Sequence, residues 1–242
     1  MPENAVAVVD DPADVLAHNG VSANLTVAEE IDGAVEESLD EPRAVHLDNV
    51  VYASKNKHFG LQILKIVNKV ARPTDVRRTQ HADGDVSFVP LKMGDVFHVR
   101  IINNKPYDVA VSLNIDGLNV YSFHQNQDKR HLPLIIRANR EGTLTGWRVS
   151  DVRNSENKAF KIVPQSEGAV AIKMVPGNVG SITAQFRAAW PKGAAPPADE
   201  RTRSRNEKIA VGLGEVVRQK VRSVERNVGR TLLSSISVRY RP

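Results

Sequence analysis

Cysteine is absent from this 242-residue chain. Disulfides and thiolate zinc sites are therefore excluded, and the redox compartment cannot be read from the sequence. Aromatic residues make up only 5%, so a core must be built mostly from Val, Ile and Leu. No apolar run approaches the ~20 residues that a helix needs to cross a bilayer. The start, Met1-Pro2-Glu3-Asn4, lacks the basic n-region of a secretory signal. The expectation is a product that stays inside a cell or is assembled there, in the cytoplasm or in a virion, with no membrane partner.

The most informative absence is local. The first 42 residues hold eleven Asp/Glu and no Lys or Arg. The whole chain carries +5, so residues 43–242 carry +16. A leader and a body of opposite sign attract each other, or the counterpart on a neighbour. Hydrophobic content of 41% and charged content of 25% are ordinary for a soluble globular protein.

Five segments follow from the pattern: an acidic arm (1–42), a connecting segment (43–85), a core (86–190), a linker (191–200) and a basic C-terminal segment (201–242). Residues 1–24 read as extended, broken by Pro2, Pro12, Asn19 and Gly20. Thr26 and Glu29 form a capping-box pair. Val27, Ile31, Val35 and Leu39 then recur every four residues beside Glu29, Glu30, Asp32, Glu36 and Glu37, which predicts a short amphipathic helix over 26–40. Such a helix is marginal alone and is expected to dock. In the connecting segment, Val45 to Ala53 reads as a strand. Ile63, Ile66, Val67 and Val70 fit helical spacing, so a helix is expected to end before Pro73.

From residue 86 the pattern is β. Phe97, Val99 and Ile101 alternate with polar or outward positions, and Val109, Val111, Leu113 and Ile115 do so again. Asp116-Gly117 lies between two such runs, the strongest short hairpin signal. Further strands are expected at 134–136, 143–149, 158–163, 169–175 and 180–188, with a polar loop at about 124–133. Strands this short and regularly spaced predict an antiparallel two-layer β-sandwich. Trp147 is expected to be a plug between layers, its indole N–H seeking a carbonyl. In the basic segment Val217, Val221, Val224 and Val228 fit a helical stripe, with a bulged strand as the rival. Leu232 to Tyr240 reads as a closing strand.

Several runs together resemble an uncharacterised family of bacterial and phage-associated proteins. They are Gly94-Asp95-Val96-Phe97-His98-Val99-Arg100-Ile101, Val109 through Val120, Thr145-Gly146-Trp147-Arg148-Val149-Ser150 before Ala159-Phe160-Lys161-Ile162, and Asn178-Val179-Gly180-Ser181-Ile182. Gly212-Leu213-Gly214-Glu215 and Ser237-Val238-Arg239-Tyr240 are similar to it as well. The family's pattern is a Leu-Ser-Val-Asp-Gly-Leu-Asn-Val hairpin, a Gly-Trp-Arg strand and a later Asn-Val-Gly-x-Ile. The likeness covers about residues 90–242 outside the linker. Ile115 replaces the family's Val, and His131-Leu132-Pro133 stands where the family has Gly-Tyr, which puts that loop in doubt. The resemblance implies a β-sandwich and supplies no active site.

Signatures of catalysis are missing. There is no Gly-x-Ser-x-Gly and no His-x-x-x-His. His98, His124 and His131 are the histidines that could meet in space. Asp83-Gly84-Asp85 reads as a turn rather than a calcium loop, and Gly212-Leu213-Gly214 lacks the third glycine of a phosphate loop. No catalytic residue, cofactor site or metal site is therefore assigned. The expected function is a non-enzymatic assembly protein, a virion or particle component such as a decoration, minor capsid or tail protein. Its expected subunit contacts are Val27, Ile31, Val35, Leu39, Glu29 and Glu36 on the arm, and Arg218, Arg222 and Arg226 on the body. Nucleic acid is a second partner class, though no aromatic lies between Arg201 and Arg239 to stack bases. The alternative is a ligand- or carbohydrate-binding sandwich using the 124–133 loop with exposed Trp147, Tyr121 or Tyr107.

Overall fold

The computed structural model describes residues 15–18, 44–81, 84–150, 156–174, 179–201, 216–218 and 222–240. These residues are mainly β and form two antiparallel-rich sheets of nine strands each. The first sheet runs β17 (Arg222–Val224), β1 (Val15–His18), β11 (Leu134–Ile136), β9 (Val109–Ile115), β15 (Ser181–Trp190), β18 (Asn227–Tyr240), β7 (Gly84–Val89), β6 (Arg77–His81), with β10 (Leu118–Asn119) on β9. The second runs β13 (Gly146–Trp147), β14 (Glu156–Lys161), β8 (Val96–Asn103), β4 (Phe59–Val67), β3 (Val50–Tyr52), β2 (Val45–Leu47). There β12 (Arg140–Leu144) pairs with β8, β16 (Val216–Arg218) with β14, and β5 (Val70–Pro73) with β4.

The alternation read from the sequence places the core. Val109, Val111, Leu113 and Ile115 of β9 are buried together with Leu61, Ile63, Val99 and Ile101 from the second sheet. The sheets meet where Phe59 of β4 stacks on Phe186 of β15, centroids 4.7 Å apart. A thinner apolar cluster unites Ala110, Ile135 and Ala189, with Val224 and Val228 packed against it. The Asp116-Gly117 turn forms as expected: both residues have positive φ (52° and 87°), and Leu118 pairs with Ile115. Positive φ at both central positions is what a two-residue turn requires, and glycine adopts it without strain.

Three local expectations are corrected. Phe59–Val67 is a strand, not a helix. Phe59, Leu61 and Ile63 enter the core, and Gly60, Gln62 and Leu64 on the other parity are buried as well, so burial shows no period of two along the first six residues. The chain then reverses at Asn68 and Lys69, both at positive φ, so Val70 pairs back with Val67. Segment 43–85 thus contributes β2 to β6 and the central β4. Second, Ala169–Lys173 is a single helical turn, α1, not a strand. Only Ala169 is buried, and Met174 closes the turn in the left-handed region at φ 52°. Third, the valine stripe of the basic segment is not helical. Val217, Val224 and Val228 fall on β16, β17 and β18, where β-branched side chains suit a pleated sheet; Val221 lies outside the described residues.

Candidate functional site

The leader and the basic segment meet through backbone pairing. β1 runs antiparallel to β11, with Val15 opposite Ile136, Leu16 opposite Ile135 and Ala17 opposite Leu134. On its other side it runs parallel to β17, with Leu16 opposite Arg222, Ala17 opposite Ser223 and His18 opposite Val224. Four residues of the acidic leader therefore lie between a body strand and a strand of the basic segment. Val-Leu-Ala-His is the right material, since it is uncharged and follows Asp14.

The expected contact residues separate. Arg222 is a register partner of the leader, and Arg218 is the register partner of Glu156 in β14. Arg226 is engaged within the chain: its Nε lies 2.7 Å from Asp108 Oδ2, and it donates to the Glu225 carbonyl. Asp108 in turn accepts the Ala138 N–H. The helix over 26–40, and with it Val27, Glu29, Ile31, Val35, Glu36 and Leu39, lies outside the described residues.

The linker ends in an acidic latch. The 3-10 turn Ala198–Arg201 carries Asp199, which accepts Lys105 Nζ at 2.9 Å and the Tyr107 hydroxyl. These two hydrogen bonds hold the Asp199 carboxyl below its ordinary pKa, outweighing its burial. Burial, then the same hydrogen bond, raises the Tyr107 phenol. His58 nearby is lowered by burial and by the Lys105 charge. Glu200 accepts the backbone N–H groups of Arg230 (2.7 Å) and Thr231 (3.3 Å). A Cβ on Gly229 would lie 2.0 Å from Glu200 Oε2, so the missing side chain at 229 is what admits the carboxylate.

The buried polar groups are mostly occupied in holding the fold. Asn103 donates to the carbonyls of Tyr107, Ile136 and Arg137. Asp116 ties its hairpin to the start of β15 and the end of β18. Trp147 is fully buried, edge-on to Phe160 and Phe123, as a core plug should be; among the described residues its indole N–H finds no acceptor. Arg148 is also buried, yet among the described residues only its Nη2 is bonded, to the Ser150 carbonyl, and Nε and Nη1 have no partner. His98 is buried on β8, and burial lowers its imidazole to about 4. Among the described residues no three His, Asp or Glu converge as a metal site, so His98, His124 and His131 do not form one. Nor do the three rings of the carbohydrate alternative make a platform. Trp147 and Tyr121 are fully buried, and the Tyr107 hydroxyl is held by Asp199.

Asp108, Asp199 and Glu200 were not singled out from the sequence, and Arg148 entered only as part of the Gly146-Trp147-Arg148 run. A signal existed for two of them, since Asp199-Glu200 is an acidic pair standing between a Pro-rich linker and an arginine-rich run.

This geometry defines an antiparallel-rich, two-sheet β protein that carries a leader strand within its own sheet. No protein-family model matches the chain, and no curated protein and no solved structure matches it.

Proposed function

We propose that the protein is a non-enzymatic structural component of a particle, a virion decoration, minor capsid or tail subunit. It joins neighbouring protein subunits through its acidic leader and basic body. The observation that carries this reading is the pairing of Val15–His18 with both β11 and β17. An element that belongs to the charged leader is held by backbone bonds, which any copy of the same strand could make. Charge supports the reading, since a leader of −11 and a body of +16 attract over the ~10 Å that 0.1 M salt leaves unscreened. The use of Asp108, Asp116, Asp199 and Glu200 as internal ties also fits a load-transmitting scaffold.

Removing residues 1–42 tests the reading. The truncated chain is expected to keep its β-sheet circular dichroism and to associate more weakly than the full chain. The difference is expected to be largest at low salt, where the attraction is least screened. Light scattering of both chains across a salt series measures it. Equal association of the two at every salt concentration would overturn the role of the leader.

A further inference from the structure

We infer that the slot between β11 and β17 takes residues 15–18 of a second copy of this chain, so that copies are joined by exchange of leader strands. This rests on the assembly reading above and specifies how it works.

The slot needs an occupant. Among the described residues β17 pairs only with β1, so without a strand at that position β17 has no ladder. β11 is three residues long and wholly buried, and β1 supplies the partner for the edge that β9 does not cover. Buried backbone N–H and C=O groups are costly to leave unpaired. Beside the slot sits the thin apolar cluster of Ala110, Ile135, Ala189, Val224 and Val228. Leu16 is the register partner of Ile135 in that cluster. Sequence, register and backbone bonding therefore select Val15-Leu16-Ala17-His18, and none of them depends on which copy supplies it.

The tether permits either source. About 25 residues (19–43) join β1 to the body, and extended they reach roughly 80 Å at ~3.3 Å each. That exceeds the ~35–45 Å across a domain of this size. Charge favours exchange once copies are crowded. Two bodies of +16 repel, whereas the leader of one is drawn to the body of the other. The balance is set by concentration. A tether of this length holds its own strand at an effective concentration on the order of millimolar. Copies packed ~50 Å apart in a particle present one another's leaders at roughly 10 mM, enough to compete. In dilute solution the strand closes on its own body; in an assembly it crosses to a neighbour, the usual economy of a swapped element.

A chain without cysteine makes the test direct. Leu16→Cys and Ile135→Cys, register partners, are made as separate full-length variants, mixed, concentrated and oxidised, with light scattering in parallel. Exchange predicts a disulfide-linked dimer of the two variants, its yield falling about tenfold on dilution to micromolar protein. A Leu16→Cys/Ile135→Cys double variant should close on itself when dilute and give linked oligomers when concentrated. Val15→Cys with Ile136→Cys repeats the readout if Ile135→Cys fails to fold. Association without any cross-copy disulfide, the double variant closing only internally, overturns strand exchange and leaves the assembly reading intact. No association at any concentration overturns both.

Discussion

The Asp116 carboxylate accepts the Tyr240 hydroxyl at 2.5 Å across 124 positions of sequence. Its other oxygen takes the N–H groups of Gly180 (2.6 Å) and Ser181 (3.1 Å). One side chain in a hairpin turn therefore joins three strands of the first sheet, β9, β15 and β18. Burial raises the Asp116 pKa, and the three hydrogen bonds oppose that rise. Gly180 permits the approach: it sits at φ +95°, and a Cβ there would lie 2.9 Å from the Tyr240 carbonyl oxygen.

Tyr240→Phe should therefore lower stability by about 1–3 kcal/mol, the cost of leaving a buried acceptor short of a partner. Gly180→Ala should cost at least as much, through strained backbone and the close carbonyl. Urea denaturation of each variant at pH 7 measures both, and an unchanged midpoint for Tyr240→Phe would show that the hydroxyl is dispensable.

The Glu200 latch makes a prediction about coupling. Glu200→Ala removes the acceptor from Arg230 and Thr231, and Gly229→Ala displaces the same carboxylate. Each alone should cost roughly 1 kcal/mol. Together they should cost no more than the larger of the two, because one contact is lost either way. Faster tryptic cleavage near Arg201 in all three variants is the accompanying expectation, and additive losses would disprove the shared contact.

His98 should give the protein an acid-sensitive range. Its neutral form is favoured in the fold, with the pKa lowered from 6.5 to about 4. Between those values the unfolded chain binds the proton and the folded chain does not, so stability falls as pH drops. From pH 7 to 4.5 this amounts to roughly 2–3 kcal/mol. His98→Gln should show a smaller loss over that interval in urea titrations; an identical pH profile would assign the loss to other groups.

Arg148 tests the cost of a buried charge. With Nε and Nη1 unpartnered among the described residues, replacement by Met removes a desolvated cation and keeps an unbranched stem of similar length. Arg148→Met should be neutral or stabilising by about 1–2 kcal/mol. A loss above ~3 kcal/mol in thermal or urea unfolding would mean that the guanidinium is paired with a carboxylate.

What could be read from the sequence was local. The Asp116-Gly117 hairpin was legible because positive φ at two adjacent positions is a demand made by the turn itself. The alternation through Val109–Ile115 was legible because one parity of β9 faces the core. Trp147 as a plug followed from its size. Phe59–Val67 misled because both parities of its first six residues are buried, and because the helical spacing of Ile63, Ile66, Val67 and Val70 runs across the turn at Asn68 and Lys69. Ala169–Lys173 misled because one turn is too short for a period to register. The latch residues were hidden for a different reason: Asp199 and Glu200 meet partners 94 and 31 positions away, and nothing beside them in the chain announces those partners.

The order of residues alone therefore settled the β class, the hairpin turn, and the division into a negative leader and a positive body, since each depends on nearest neighbours or on simple counts. Folding in three dimensions chose the rest: that β18 lies parallel to β7, that β1 enters between β11 and β17, and which acids become internal ties. Those choices are made by burial and by backbone groups that must find partners far along the chain, and neither quantity exists until the sheets have met.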